Sequence, residues 1–405
     1  MNDTKLFSLS TRMKGVQSSP TLRLNALAQE MIKQGKDIIN LTAGETDFDT
    51  PQNISNAAIE AIKKGITRYT APHGMLELRT AVADWFKREW NLNYSSKQVT
   101  VTCGVKQGLY NLLFATLSPG DEVLIPAPYW VSYPEMVKLA GGVPVIIPSN
   151  PEQNFQLYMK DIQKKITAKS RMLLLNSPNN PTGAVYAVEE LGAIAKLLEG
   201  TDILVASDEI YDFLRYDGVT VKSFASFSTD AYQRTITFNG LSKSHAMTGW
   251  RVGFAAGNES IIEAMGILQA QSATNITSFV QVAAIEALKQ TRSEFESRRK
   301  EMELRRNLCV EIIKKASESK MNIPQGAFYC FPDLSAYYGR RTPQGKLVSD
   351  SNSMAEYLLE EGGIAVVPGA PFGEERCIRL SFSKDLDTLE KGFSRLVSAL
   401  QKLVL

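Results

Sequence analysis

The sequence predicts an α/β protein with a mostly parallel, seven-stranded sheet in a large domain and a smaller α+β domain after it. Short apolar segments rich in β-branched residues recur through the middle of the chain, and helical patterns lie between most of them. After about residue 292 this alternation gives way to a long charged helical pattern and a few short strand candidates. Strands that alternate with helices are typical of parallel α/β sheets, because each crossover needs a connection of helix length.

Seven segments of the middle region are predicted to be strands. They are Val99–Thr102, Glu122–Ile125, Val143–Ile147, Met172–Leu175, Ile203–Ala206, Thr235–Phe238 and Val252–Ala256. Helical patterns lie between most of them, at Gln107–Leu117, Pro134–Ala140 and Glu189–Glu199. The fourth and fifth strand candidates are apolar throughout, which suits central strands that are covered on both faces.

The last part of the chain is predicted to be helical at both ends with short strands between. The helices are expected over Ser293–Lys315 and Leu386–Val404. The strand candidates are Ala327–Phe331, Ile364–Val367 and Cys377–Phe382, and Tyr337–Ser353 is interpreted as a loop.

Composition excludes several classes of function. The 405 residues include 45 basic and 43 acidic side chains, so the net charge of +2 gives no sign of a nucleic-acid or membrane surface. Four widely spaced cysteines favour a reduced compartment, and only His73 and His245 are available for a histidine-based site. With no segment of signal-peptide or membrane-span character, a cytoplasmic protein without a metal site is expected.

Polar segments follow three neighbouring strand candidates, where ligands bind in open α/β sheets. They are Asn176–Gly183, Ser207–Tyr211 and Asn239–Ser244, and the last contains Lys243 and is followed by Arg251. Each segment alone has a plain structural interpretation: a tight turn, a helix N-cap and a surface lysine.

In this order, the three segments resemble the fold-type I enzymes that use pyridoxal phosphate (PLP), and specifically the class I aminotransferases. Leu41–Glu45, Tyr69–Pro72, Pro128–Pro134 and Ile378–Phe382 match the same family, so the resemblance covers nearly the whole chain. It is closest to the prokaryote-type aspartate aminotransferases. The resemblance implies an N-terminal arm and part of the small domain in residues 1–47, a large PLP-binding domain in 48–292 and a small domain in 293–405.

The resemblance also implies roles around the cofactor ring. Lys243 would hold PLP as a Schiff base and move the substrate proton, and Asp208 would face the protonated ring nitrogen. Asn180 and Tyr211 would donate to the ring oxygen, and Trp130 would stack on the ring. Lys243, Asp208 and Tyr211 are the residues expected to be catalytic.

The cofactor phosphate is expected at the start of a helix. The segment Gly104-Val105-Lys106 opens that helix, although a plain glycine turn is the alternative. The resemblance adds Ser242 and Arg251 to this site, and it implies that Tyr69, and with less support Asn275, reach it from a neighbouring subunit. A homodimer with shared active sites is therefore expected.

Two cations match the substrate-binding positions of the family. Arg379 would bind the α-carboxylate, with an internal ion pair as the alternative. Lys106 would bind the distal carboxylate, unless it only adds positive charge near the phosphate. Gly44, Trp130 and Asn180 complete the expected substrate site.

The resemblance therefore predicts transfer of the amino group of aspartate to 2-oxoglutarate. Prephenate, aromatic or alanine substrates remain alternatives, and a non-catalytic PLP-fold binding protein is the alternative from another class. The segment Arg12–Thr21 resembles a strip that closes over substrate, where Ser19 and Thr21 could contact the distal carboxylate. Relatives with prephenate activity recruit a basic residue near Arg12, but a solvated N-terminal arm is equally compatible with the sequence. The chain has no dinucleotide fingerprint after its first strand, which argues against a nicotinamide dehydrogenase.

Overall fold

The structure, a computed structural model, describes residues 10–13, 15–16 and 20–405. Thirteen α-helices lie in this part of the chain. They are α1 (Pro20–Lys33), α2 (Gln52–Lys63), α3 (Leu76–Trp90), α4 (Gly104–Thr116), α5 (Ser132–Leu139), α6 (Met159–Gln163), α7 (Val188–Leu198), α8 (Thr229–Arg234), α9 (Glu259–Ser272), α10 (Ser278–Lys289), α11 (Glu296–Ile313), α12 (Ser351–Glu360) and α13 (Leu386–Gln401).

Twelve strands accompany these helices in the described residues. They are β1 (Ile39–Asn40), β2 (Val99–Thr102), β3 (Glu122–Pro126), β4 (Val143–Ile147), β5 (Ser170–Asn176), β6 (Leu204–Asp208), β7 (Thr235–Gly240), β8 (Gly253–Ala256), β9 (Tyr329–Cys330), β10 (Ile364–Ala365), β11 (Val367–Pro368) and β12 (Ile378–Ser381).

The central sheet has seven strands in the order β2-β8-β7-β6-β5-β3-β4. Strand β8 is antiparallel to both of its neighbours, and the other neighbouring pairs are parallel. The predicted seven-stranded, mostly parallel sheet is therefore confirmed. Its strands coincide with the seven apolar segments to within a few residues at each end.

Helices cover both faces of this sheet. On one face, Leu112 of α4, Met136 of α5 and Ile262 of α9 pack with strand residues in one buried cluster. On the other face, Ile194 and Leu198 of α7 pack against strand residues in a second cluster. This two-sided cover explains why the central strands are apolar at almost every position.

Outside the central sheet, β9, β12 and β11 form a small antiparallel sheet. Strand β1 pairs in parallel with β10, so residues 39–40 join the C-terminal part of the chain. Helices α11 and α13 pack against each other beside these strands. The domain boundaries at residues 47 and 292 remain a prediction.

The sequence interpretation was wrong in detail at two places in the C-terminal region. The expected loop over Tyr337–Ser353 ends earlier, because Asp350 accepts a hydrogen bond from the Ser353 N–H and starts α12 at Ser351. The strand expected over Ala327–Phe331 is reduced to the two residues of β9.

The carboxyl ends of β5, β6 and β7 lie side by side. Asn176 is paired in register with Asp208, and Asp208 with Phe238. The polar segments that follow these strands therefore meet at one edge of the sheet, as the sequence predicts. None of the helices in the described part of the chain is long and apolar enough to cross a membrane.

Candidate active site

Lys243 lies in the turn after β7, with its side chain half-buried. Its Nζ donates a hydrogen bond to the carbonyl oxygen of Gly44. Burial lowers the pKa of Lys243 to about 8, and the Glu45 carboxylate opposes this shift while the Arg379 and Arg251 guanidinium groups add to it. A lysine with this pKa is neutral in roughly a tenth of the molecules at pH 7, far more than an ordinary lysine, and the neutral amine is the form that attacks a carbonyl carbon.

Asp208 ends β6 and is buried. Its Oδ2 accepts a hydrogen bond of 2.7 Å from the Tyr133 hydroxyl, and its Oδ1 accepts one of 3.3 Å from the Ile210 N–H. Burial raises the pKa of Asp208 to about 6, and these two donors and the Lys243 charge hold it from rising further. Asp208 is therefore ionised at neutral pH and can pair with a buried cation.

Tyr133 is a site residue without a role predicted from the sequence. It belongs to the segment Pro128–Pro134, which carries the family resemblance but indicates no function for this side chain. The hydroxyl at the end of a completely buried ring is a polar atom that needs a partner, but the partner, 75 residues away, emerges only in three dimensions.

Arg379 on β12 is only 2% exposed. Its Nη1 donates to Oδ1 of Asn180 at 3.1 Å, and its Nη2 donates to the carbonyl oxygen of Thr42 at 2.8 Å. Its Nε has no hydrogen-bond partner among the described residues, and no described carboxylate pairs with it. This arrangement argues against an internal ion pair and leaves a buried cation available for an anion from outside.

Two buried tyrosines lie between Lys243 and Arg379. The hydroxyl oxygens of Tyr211 and Tyr329 are 3.0 Å apart. Lys243 Nζ is 5.9 Å from the ring centroid of Tyr211, and the Arg379 guanidinium carbon is 4.5 Å from that of Tyr329. Tyr211 is among the site residues predicted from the sequence, whereas Tyr329 is not, because in the sequence it is only part of a strand candidate.

The start of α4 faces Arg251. Gly104, the first residue of α4, has a φ of +75°, and a Cβ on it would lie 2.8 Å from Nη2 of Arg251. Arg251 donates to the carbonyl oxygens of Thr248 and Cys103 and is exposed, and the described residues give it no carboxylate partner. Free N–H groups at the helix start and this guanidinium form a place for a phosphate.

Lys106 extends from the first turn of α4 toward the ring of Trp130. Its Nζ lies 4.7 Å from the ring centroid, and burial and then the Arg251 charge lower its pKa. None of the acidic side chains that the structure describes forms a salt bridge with Lys106 or contributes to this shift. The Trp130 ring is half-buried and meets Tyr133 edge-on, at 5.4 Å between ring centroids.

Of the other expected residues, Gly44 joins the site through its carbonyl group, Val105 follows Gly104 in α4, and Ser242 is buried beside Lys243. Tyr69 does not join it, because its side chain is 87% exposed. The side-chain amide of Asn275 donates to the carbonyl oxygen of Ile276, next in the chain, rather than to a residue of the site.

The residues brought together fit pyridoxal phosphate. Lys243, with its lowered pKa, matches the aldehyde, and the buried Asp208 matches the ring nitrogen. The hydrogen-bonding side chains of Asn180 and Tyr211 match the ring oxygen, and the helix start beside Arg251 matches the phosphate. The close approach at Gly104 supports this fit, because any Cβ there would displace the guanidinium that faces the helix start.

The chain is similar to known proteins over almost its whole length. The family model described as "Aminotransferase class I and II" matches residues 36–396. A probable aspartate/prephenate aminotransferase of Rickettsia conorii is 44% identical over 96% of this chain and 97% of its own length. An aspartate aminotransferase of Bacillus sp. strain YM-2 is also 44% identical, over 96% of this chain and 98% of its own length.

Solved structures of aspartate aminotransferases are also similar to this chain over nearly its whole length. The aspartate aminotransferase of Rhizobium meliloti superposes with a TM-score of 0.95 at 36% identity, covering 98% of this chain and 100% of its own. That of Thermus thermophilus with maleate gives a TM-score of 0.91 at 41% identity, covering 97% and 100%. The mostly parallel sheet with its helical cover is thus the fold-type I arrangement.

Proposed function

Since this chain belongs to the class I and II aminotransferase family, we propose that it transfers the amino group of aspartate to 2-oxoglutarate, giving oxaloacetate and glutamate. The family supports a PLP-dependent transaminase, and the names of the relatives support aspartate. The single observation that carries the proposal for this chain is Arg379, a buried guanidinium with no acidic partner in the described residues.

Bound PLP supplies an electron sink for the negative charge that remains when the substrate Cα loses its proton. Lys243 is the proposed attachment point, and its released Nζ is the proposed base that takes the Cα proton. The lowered pKa of Lys243, caused by burial, favours this role because the amine must be neutral to accept a proton.

Four side chains are proposed to hold the cofactor ring. Asp208, buried and ionised at neutral pH, would keep the ring nitrogen protonated by pairing with its positive charge. Asn180 and Tyr211 would donate hydrogen bonds to the ring oxygen, and both are buried near Lys243 and Arg379. Trp130 would cover one face of the ring.

The cofactor phosphate is proposed to lie at the start of α4. The N–H groups of Val105 and Lys106, the hydroxyl of Ser242 and the guanidinium of Arg251 would hold it. The side chain of Arg251 is kept at this place by hydrogen bonds to two carbonyl groups, and no acid among the residues that the structure describes pairs with it, so its charge is available for an anion.

The two carboxylates of aspartate are assigned to two cations. Arg379 would bind the α-carboxylate through paired N–H groups, and Lys106 would bind the distal carboxylate. The absence of an acidic partner for either cation in the described part of the chain supports this assignment. Gly44, Trp130 and Asn180 would complete the substrate pocket.

The active unit is proposed to be a homodimer in the cytoplasm. Tyr69 is 87% exposed, which is unusual for an aromatic side chain and fits a residue that reaches into the site of a second subunit. Asn275 is the second residue proposed to cross between subunits. The cytoplasmic location rests on the sequence alone.

Prephenate is a second candidate amino acceptor, because several relatives are named aspartate/prephenate aminotransferases. Arg12 lies in a short 3-10 helix, Thr11–Met13. This helix packs against α5, which begins at Ser132, two residues after Trp130. Gly15 accepts a hydrogen bond from Lys138 of α5. An exposed arginine beside the substrate pocket would suit the second carboxylate of prephenate. Ser19 lies outside the described residues, and Thr21 lies in α1.

The proposal is tested by adding single amino acids to the PLP-loaded protein and following the absorbance of the Lys243-bound cofactor. Aspartate and glutamate are expected to convert it rapidly, and alanine and tyrosine slowly. Lys106→Ala is expected to slow only the dicarboxylic substrates. Lys222→Ala is the matched control, because Lys222 also lies over an aromatic ring, 4.2 Å from the Phe227 centroid, but away from α4.

Three outcomes would change the proposal. Conversion by alanine or aromatic donors alone would move the specificity to another aminotransferase class. Faster turnover with prephenate than with 2-oxoglutarate, lost in Arg12→Ala, would favour the second candidate. Failure of the protein to take up PLP at Lys243 would remove the assignment of Lys243 altogether.

A further inference from the structure

Tyr329 contacts both halves of the proposed site. It lies on β9, is 1% exposed, and its hydroxyl is 3.0 Å from that of Tyr211 on the cofactor side. Its ring centroid is 4.5 Å from the guanidinium carbon of Arg379 on the substrate side. One side chain therefore touches a residue proposed to bind the cofactor and a residue proposed to bind the substrate.

Strand pairing accounts for this position. Strand β9 pairs antiparallel with β12, and Tyr329 is in register with Ser381, two residues after Arg379. A third segment also comes close, because a Cβ on Gly44 would lie 3.6 Å from the Tyr329 hydroxyl. Gly44 is the residue whose carbonyl oxygen accepts the hydrogen bond from Lys243 Nζ. The Tyr329 hydroxyl is thus enclosed by groups of the site.

The direction of the hydrogen bond between the two tyrosines follows from the chemistry of the site. Burial raises the pKa of both phenols, so both keep their protons at neutral pH. A phenol has a single proton to donate. If Tyr211 donates its proton to the cofactor ring oxygen, then Tyr329 must be the donor in the bond between the two hydroxyls.

We propose that Tyr329 is a positioning residue with two tasks: its hydroxyl donates to Tyr211 and strengthens the bond from Tyr211 to the cofactor, and its ring face orients Arg379. The proposal rests on the proposed function for the identity of the cofactor. Hydrogen bonds in a chain polarise one another, so a donor behind Tyr211 makes Tyr211 a stronger donor. A cation held over an aromatic face keeps its N–H edge free for an anion.

The pH behaviour of this chain of groups depends on the charges that surround it. Asp208 and the Arg379 guanidinium face Tyr211, and Arg379 also faces Tyr329. The pKa of Lys243 is shifted by the charges of Glu45, Arg251, Arg379 and Asp208. Replacing Tyr329 by phenylalanine changes none of these charges, so a shift in titration can be assigned to the lost hydroxyl.

The first test is a pH titration of the PLP-loaded protein without substrate, followed by absorbance. The midpoint reports loss of the proton at Lys243 Nζ, which a hydrogen bond to the ring oxygen favours. Tyr329→Phe is expected to raise this midpoint by about half a pH unit, the size expected for a modest neutral hydrogen bond. In a Tyr211→Phe background, the same change is expected to have no further effect.

The second test separates the ring from the hydroxyl. Tyr329→Phe keeps the ring and is expected to leave KM for aspartate nearly unchanged. Tyr329→Leu removes the ring and is expected to raise that KM by roughly threefold to thirtyfold, the range of a cation–π contact. Circular dichroism and thermal unfolding of each variant check that the fold is retained.

Tyr357→Phe is the matched control, because its hydroxyl is also buried, donates to Ala399 and lies away from the site. It is expected to leave the midpoint and KM unchanged. An unchanged midpoint in Tyr329→Phe, with a raised midpoint in Tyr211→Phe, would overturn the hydroxyl task. Equal KM values in the Phe and Leu variants would overturn the ring task. Because the titration uses no substrate, its failure is distinct from failure of the aspartate assignment.

Discussion

The Tyr133 hydroxyl donates a 2.7 Å hydrogen bond to Oδ2 of Asp208, and both side chains are buried. Burial raises the pKa of Asp208 to about 6, and the bond from Tyr133 is the largest effect in the opposite direction. Asp208 therefore stays ionised at neutral pH only with help from its neighbours. The ionisation of Asp208, a proposed catalytic residue, thus depends on Tyr133. In the proposed arrangement, Tyr133 contacts neither Lys243 nor the substrate.

The first prediction concerns this bond. In Tyr133→Phe, the pKa of Asp208 is expected to rise, because a donor to the ionised form is lost. The acid limb of the pH profile of kcat/KM is expected to move up by about one unit. A profile that coincides with that of the wild type would contradict the role given to Tyr133, and Tyr357→Phe serves again as the buried-hydroxyl control.

The second prediction concerns the stability of the protein without cofactor. Lys243 has a pKa of about 8 in the folded state, below the ordinary lysine value of 10.5, so the unfolded chain binds more protons between these values. Stability therefore rises with pH across this window. Lys243→Met is expected to be more stable than the wild type at pH 7, by about 3 kcal/mol, and the difference is expected to shrink toward pH 10.5. Urea unfolding of both proteins at a series of pH values measures this difference in the free energy of unfolding.

The third prediction concerns Gly104. Gly104→Ala combines a positive φ with a Cβ that would lie 2.8 Å from the Arg251 guanidinium. It is expected to reduce stability by about 1–2 kcal/mol and also to weaken PLP binding. Gly120→Ala is the matched control, because Gly120 has a φ of +90° with nothing within 4 Å of a built Cβ. The control should show the loss of stability without the loss of cofactor affinity, and equal affinities in the two variants would contradict the proposed phosphate site.

The fourth prediction separates function from stability at Arg379. Arg379→Met is expected to abolish transamination and yet to leave the cofactor-free protein as stable as the wild type or more so, because an unpaired buried charge is removed. Arg306→Met is the control: Arg306 is equally buried but makes two 2.7 Å bonds to Asp217. Urea unfolding should show a loss of stability only for Arg306→Met, and a comparable loss at Arg379 would point to a structural role.

The fifth prediction tests the proposed dimer. If Tyr69 acts in the site of the other subunit, a hybrid of Tyr69→Ala and Lys243→Ala subunits contains one intact site. Mixing the two variants under exchange conditions is expected to restore up to about a quarter of the wild-type site number, as random pairing of two subunits requires. No gain over the separate variants, with exchange verified by native mass spectrometry, would place Tyr69 in its own subunit's site or outside any site.

The sequence by itself determined the central sheet and the segments that follow its strands. Apolar strand patterns and helical periods are local, and the carboxyl ends of parallel strands must meet at one edge, so Asn180, Asp208 and Lys243 could be brought together in advance. Only the tertiary structure decided which distant groups meet them there. The bond from Tyr133 to Asp208 spans 75 residues and the one between the Tyr211 and Tyr329 hydroxyls spans 118, and no local period records such a contact. The same holds for Arg379, to which the described residues offer no acidic partner, because whether a buried charge is paired depends on every element packed around it.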